Sequence, residues 1–165
     1  MIPVKKYSNQ LKWCALSAFI LIADQVTKIV IMDNFDLYDR LRVLPFFDLV
    51  RAHNPGAAFS FLADASGWQR IFFVTVSSVV SLALVVWLLR VDSRQKIQAL
   101  GLSLVLGGAL GNLYDRIAYG YVIDFLLFYS DQYSFPAFNV ADAAITVGAF
   151  FLIVDMIKNP QAGKS

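Results

Sequence analysis

Residues 71–89 read IFFVTVSSVVSLALVVWLL, a run without a charged side chain from Ile71 to Leu89. An apolar segment of about 20 residues crosses a hydrocarbon core of ~30 Å as a helix, because a helix satisfies its own backbone hydrogen bonds where water is absent. Three further segments meet the same requirement. Ile97–Tyr114 is free of charge, residues 137–154 contain only Asp142, and Trp13–Met32 is interrupted by Asp24 and Lys28. The expected fold class is an all-α polytopic membrane protein with four transmembrane helices, built as one integral membrane domain over residues 1–165.

Composition supports this reading. The chain is 58% hydrophobic and 16% charged, far from the balance of a soluble domain. A net charge of +2 is too small to indicate nucleic acid as a partner. All 12 acidic residues are aspartate. Cys14 is the only cysteine, which excludes an internal disulfide and a thiolate metal cluster. Lys5, Lys6 and Lys12 precede the first apolar run as in a signal peptide, but Asp24 and Lys28 interrupt it and no small-residue cleavage site follows, so it reads as a retained span.

Four spans place both termini on one side. Lys5, Lys6, Lys12, Arg90, Arg94, Lys96, Lys158 and Lys164 collect in short flanks and a tight turn on that side. The opposite side holds Arg40, Arg42, Arg51, Arg70 and Arg116 over longer stretches. The positive-inside rule then predicts cytoplasmic termini and extracytoplasmic segments at 33–70 and 115–136. In the first of these, partial alternation over Val43–Ala52 suggests short strands, Asn54-Pro55-Gly56 a turn, and Ala57–Leu62 a short interfacial helix. The second carries Tyr119, Tyr121, Phe125, Phe128, Tyr129, Tyr133 and Phe135, the aromatic belt expected at headgroup depth.

This topology delivers Asp124 and Asp142 to the same outer end. A carboxylate in apolar surroundings is expensive and marks a functional site. Asp124 alone reads equally as a surface residue of an interfacial loop. Asp142 alone reads as a dipole-favoured acid in a first helical turn; Asn139, however, is the better cap, which leaves Asp142 without a structural purpose. If the fold joins the two, their like charges cannot both persist, so one stays protonated and one ionised, the state of an aspartic protease.

Other polar residues gather at the same end. Asp24 and Lys28 are spaced i,i+4 and can pair, either for structure or to support the site. Gly107, Gly108 and Gly111 suit close helix packing. Arg116 is open to pairing with Asp115, a peptide carbonyl or a lipid phosphate. Asn54, Asn112 and Asn139 can donate to a peptide, although turn and cap roles serve Asn54 and Asn139 equally. His53 is an ordinary loop residue and no metal site follows from it. Ser17, Ser77, Ser78, Ser81 and Ser103 lack a base.

Taken in order, Asp24-Gln25-Val26-Thr27-Lys28, Asn54-Pro55-Gly56-Ala57-Ala58-Phe59, Gly108–Arg116, Val122-Ile123-Asp124-Phe125 and Phe138-Asn139-Val140-Ala141-Asp142 resemble the bacterial lipoprotein signal peptidases. Any one motif is weak; five in register are specific. The resemblance implies a membrane aspartic endopeptidase that removes signal peptides from prolipoproteins, N-terminal to a diacylglyceryl-modified cysteine. It implies Asp124 and Asp142 as the catalytic dyad and Asn54, Asn112, Arg116 and Asn139 as substrate-binding residues. Asp24, Lys28, Gly56 and Asp115 support them. No cofactor is implied, membrane lipids are partners, and the cyclic peptide globomycin is the family's inhibitor. The setting would be the bacterial inner membrane, with four spans packing enough for a monomer. A proton-coupled transporter is the rival class, but its carboxylates belong near the midplane.

Overall fold

The computed structural model describes the backbone of residues 4–56 and 68–159, with side chains from Gln10 onward in those ranges. Four helices are long and apolar enough to cross a membrane. They are α1 (Val4–Asn34), α2 (Trp68–Arg90), α3 (Lys96–Ala118) and α4 (Val140–Lys158). The protein is a multi-pass membrane protein with the four-helix architecture its hydropathy predicts.

Helix α3 lies at the centre and packs against the other three. Small residues make this possible: a Cβ added to Gly101 would stand 2.8 Å from the Gly148 carbonyl oxygen, and one on Gly107 would stand 2.7 Å from that of Ser17. Backbones this close exclude any larger side chain. Towards the α2–α3 turn, Leu84, Leu88, Val91, Ala99, Leu102 and Leu106 form the buried apolar cluster. Phe19, Ile71, Val79, Phe150 and Ile157 instead point outward, as expected of side chains whose solvent is lipid.

At the other end sits a three-stranded antiparallel sheet of β1 (Arg40–Leu44), β2 (Phe47–Asn54) and β3 (Val122–Phe128), in the order β1-β2-β3. The first two strands overlap Val43–Ala52, where alternation suggested them, but begin at Arg40 and run on to Asn54. The third, from the segment that joins α3 and α4, adds a strand to those expected between helices 1 and 2. Val122–Phe128 is a nearly unbroken apolar run, so it lacks the alternation that marks a half-buried strand; Val122, Ile123, Asp124 and Phe125 are buried. The expected helix over Ala57–Leu62 lies outside the described residues.

The helix bounds differ from the expected spans at several ends, and two of these bear on the site. Helix α3 runs past Tyr114 to Ala118 because the charges of Asp115 and Arg116 are met inside the fold, as described below. Helix α4 starts at Val140 rather than 137, since Phe138 pairs with Leu126 before the helix begins. A register shift in β2 between Leu49 and Ala52 sets Ala52 opposite Asp124 and Asn54 opposite Val122. Asn54 and Asp124 thereby become diagonal neighbours on one face.

Candidate active site

The two aspartates reach one place by different means. Asp124 is fixed by β3, whereas Asp142 is fixed by the start of α4. Asn139 caps that helix in an extended conformation, its Oδ1 accepting from the Asp142 backbone N–H at 2.9 Å. Asp142 Oδ2 accepts in return from the Asn139 backbone N–H at 3.3 Å, completing a capping box. Asp142 therefore does have a structural purpose, contrary to the expectation from sequence, because the third helical position lets its carboxylate reach back to the cap.

That arrangement leaves one Asp142 oxygen for the site. Asn112 Nδ2 donates to Asp142 Oδ1 at 2.7 Å. Asn139 Nδ2 donates to Asp124 Oδ1 at 2.7 Å, and Asn54 Nδ2 donates to Asp124 Oδ2 at 2.9 Å. Asn139 also donates to Asn112 Oδ1 at 3.2 Å, so three asparagines tie the two carboxyl groups into one network. Asp124 is only 2% exposed. Burial pushes its carboxyl from 3.8 up to about 7; the Asn54 hydrogen bond opposes the shift and the neighbouring Asp142 charge adds to it. Asp142 is half-buried, leaving it open to a solvent molecule.

Beneath this network lies a layer of buried charge. Lys28 Nζ stands 2.8 Å from both Asp24 Oδ2 and Asp115 Oδ2 and donates to Asn112 Oδ1 at 3.1 Å. The lysine thus settles which way the Asn112 amide faces, turning its N–H towards Asp142. The two acids hold backbone donors: Asp24 Oδ1 accepts from Ala141 N at 2.9 Å and Asp115 Oδ2 from Ile123 N at 3.1 Å. These are the residues immediately preceding Asp142 and Asp124. Each site aspartate is therefore registered through its neighbour's N–H, and both anchors share one ammonium group.

Arg116 lies beside this group. Its Nη1 donates to Asn112 O at 3.2 Å, and its guanidinium rests 5.4 Å from the Phe73 ring centre. Gly56, at φ +121°, brings the turn against the same ring: an added Cβ would lie 2.5 Å from Phe73 Cε2. All ten residues singled out from sequence thus belong to this network or its immediate support. Three contributors were missed. Gln25 Nε2 bonds Asp115 Oδ1 at 2.9 Å and Asp24 Oδ2 at 3.1 Å; its place in the first motif was the available signal. Phe73 carried no signal in an apolar run, and Arg70, just before that run, was read only as one of the outer-side charges. His53 lies on β2 rather than in a loop, its ring stacked 3.7 Å from that of Tyr121; burial and the nearby Arg51 charge push its imidazole down.

Solved structures of related proteins share this architecture. Two solved structures described as bacterial membrane enzymes, determined by the in meso method at 2.3 and 1.9 Å resolution, superpose with a TM-score of 0.80. The first is 31% identical, over 92% of this chain and 91% of its own. These features define a multi-pass membrane enzyme. More specifically, the chain belongs to the signal peptidase II family, whose model, "Signal peptidase (SPase) II", matches residues 16–158. The "Lipoprotein signal peptidase" of Ectopseudomonas mendocina is 48% identical over 99% of this chain and 98% of its own. That of Alteromonas mediterranea is 50% identical over 90% of this chain and 82% of its own.

Proposed function

We propose that this peptidase is an aspartic endopeptidase that cuts diacylglyceryl-modified prolipoproteins N-terminal to the lipidated cysteine, at the outer face of the inner membrane. The observation that carries the reading is the shared network: Asn139 bonds Asp124 through its side chain and Asp142 through its backbone N–H. Two carboxyl groups this closely linked, one buried and one open to solvent, suit general acid and base roles.

In this scheme Asp124 keeps a proton near neutral pH and hydrogen-bonds the scissile carbonyl. Asp142 takes a proton from water as that water attacks, and the developing oxyanion is stabilised by the protonated partner. Return of a proton to the leaving amine completes hydrolysis. Asn54, Asn112, Asn139 and Arg116 hold the substrate backbone, while Asp24, Lys28, Asp115 and Gly56 keep the frame. No metal or cofactor takes part in this scheme.

The location suits the substrate. A signal peptide is an apolar helix held in the bilayer with its diacylglyceryl chains in lipid, so cleavage belongs near an interface. The aspartates stand at the sheet end of the helices rather than midway along them, which favours a peptidase over a proton-coupled carrier. The distribution of lysine and arginine puts that end outside and both termini in the cytoplasm. Purified protein should cleave a precursor carrying diacylglyceryl cysteine and leave the unlipidated precursor uncut, with globomycin blocking the reaction. Equal cleavage of both precursors would remove the lipid requirement, and cleavage of neither would remove the proposal.

A further inference from the structure

We propose that Phe73, together with Arg70 one turn before it, is the positioning device that holds Arg116 at the site. The inference rests on the peptidase reading above and adds residues that the motifs do not contain.

Arg116 is gripped at both its ends by the opening of α2. Arg70 Nε donates to the Arg116 carbonyl oxygen at 3.0 Å and Arg70 Nη2 donates to that of Ile117 at 2.6 Å. These bonds occupy carbonyls in the last turn of α3, which have no N–H donor within the helix. The side chain is held by Phe73, whose ring faces the guanidinium at 5.4 Å. A cation over an aromatic face is attracted by the ring quadrupole, more strongly when water is excluded. Arg116 Nε is buried without a hydrogen-bond partner among the described residues, so the ring does what a carboxylate would otherwise do without neutralising the charge.

The same ring also lies against Gly56. Phe73 is thus set between the turn that carries Asn54, a donor to Asp124, and the arginine that flanks Asn112, a donor to Asp142. A salt bridge in this position would fix Arg116 but quench it; a flat, neutral ring fixes it and leaves its N–H groups available to a peptide carbonyl.

The test is a double-mutant cycle on the full-length protein with a lipidated precursor. Phe73→Leu should raise KM with little change in kcat and so lower kcat/KM by about 5- to 30-fold, the span expected of a desolvated cation–π contact. Phe73→Tyr should restore it. In an Arg116→Ala background, Phe73→Leu should cause no further loss. Equal losses in both backgrounds, or normal KM for Phe73→Leu, would overturn the assignment. Wild-type protein run beside them separates this from the parent reading: failure to cut the precursor at all would sink the peptidase proposal itself.

Discussion

Asn139 donates a side-chain N–H to Asp124 Oδ1 at 2.7 Å, so the residue that caps α4 is also a hydrogen-bond partner of β3. The start of the last helix and the last strand are one unit, and the aspartates on them share its geometry.

In the proposed mechanism Asp142 has two duties, which substitution should separate. Asp142→Asn keeps an oxygen for the cap but loses the bond from Asn112, so it should lose the chemistry while the capping box stays, a drop of roughly 10²-fold or more in turnover. Asp142→Ala should lose the same turnover and also about 1 kcal/mol of stability with the capping box. Cleavage of a lipidated reporter and unfolding in mixed micelles read the two effects independently.

Asp124 predicts a pH dependence. Its folded carboxyl titrates at about 7, against 3.8 ordinarily, so between those values the folded protein binds the proton more firmly than the unfolded chain. Stability from this group is complete below about pH 4 and declines as pH rises towards 7. Asp124→Asn should therefore gain on the wild type in melting temperature at pH 8 and show little difference at pH 4. Wild-type cleavage should fall as pH rises through 7, where the proton is lost.

Removing the cation from the layer below is expected to be costly. Lys28→Met would leave Asp24 and Asp115, both 0% exposed, without their shared partner, a loss of about 3–5 kcal/mol for a broken buried pair. Asn112 would also lose a bond that orients its amide. Denaturation in micelles should show the first effect, and reduced turnover of the remaining folded protein the second.

Gly108 sits against the first turn of α4, where an added Cβ would collide with the Ala141 carbonyl oxygen and lie 2.8 Å from Ile145 Cγ1. Gly108→Ala should cost about 1–3 kcal/mol as overpacking. It should also lower turnover, because the displaced residue precedes Asp142. A variant as stable and active as the wild type would mean that the helices can separate freely here.

The helices were legible because hydrocarbon leaves a long apolar run few alternatives. Strands β1 and β2 were legible because charged residues alternate with apolar ones there. Strand β3 was not: buried from Val122 to Phe125, it shows no period-two signal and reads as membrane interface. The residues of the candidate site were found from their motifs, but sequence could not show that Asp24 and Asp115 grip Ala141 and Ile123. Those contacts depend on backbone atoms that every residue possesses. Phe73 was hidden for a related reason, since one aromatic among many apolar neighbours gives no hint that a cation lies above it.

The sheet draws β1 and β2 from the connection after α1 and β3 from the connection after α3. No single connection can therefore complete the network. Asn54 needs Asp124 beside it, and Asp124 needs Asn139 at the start of α4. A chain that lacks any one of these three segments carries only fragments of the network, so its assembly is all or nothing.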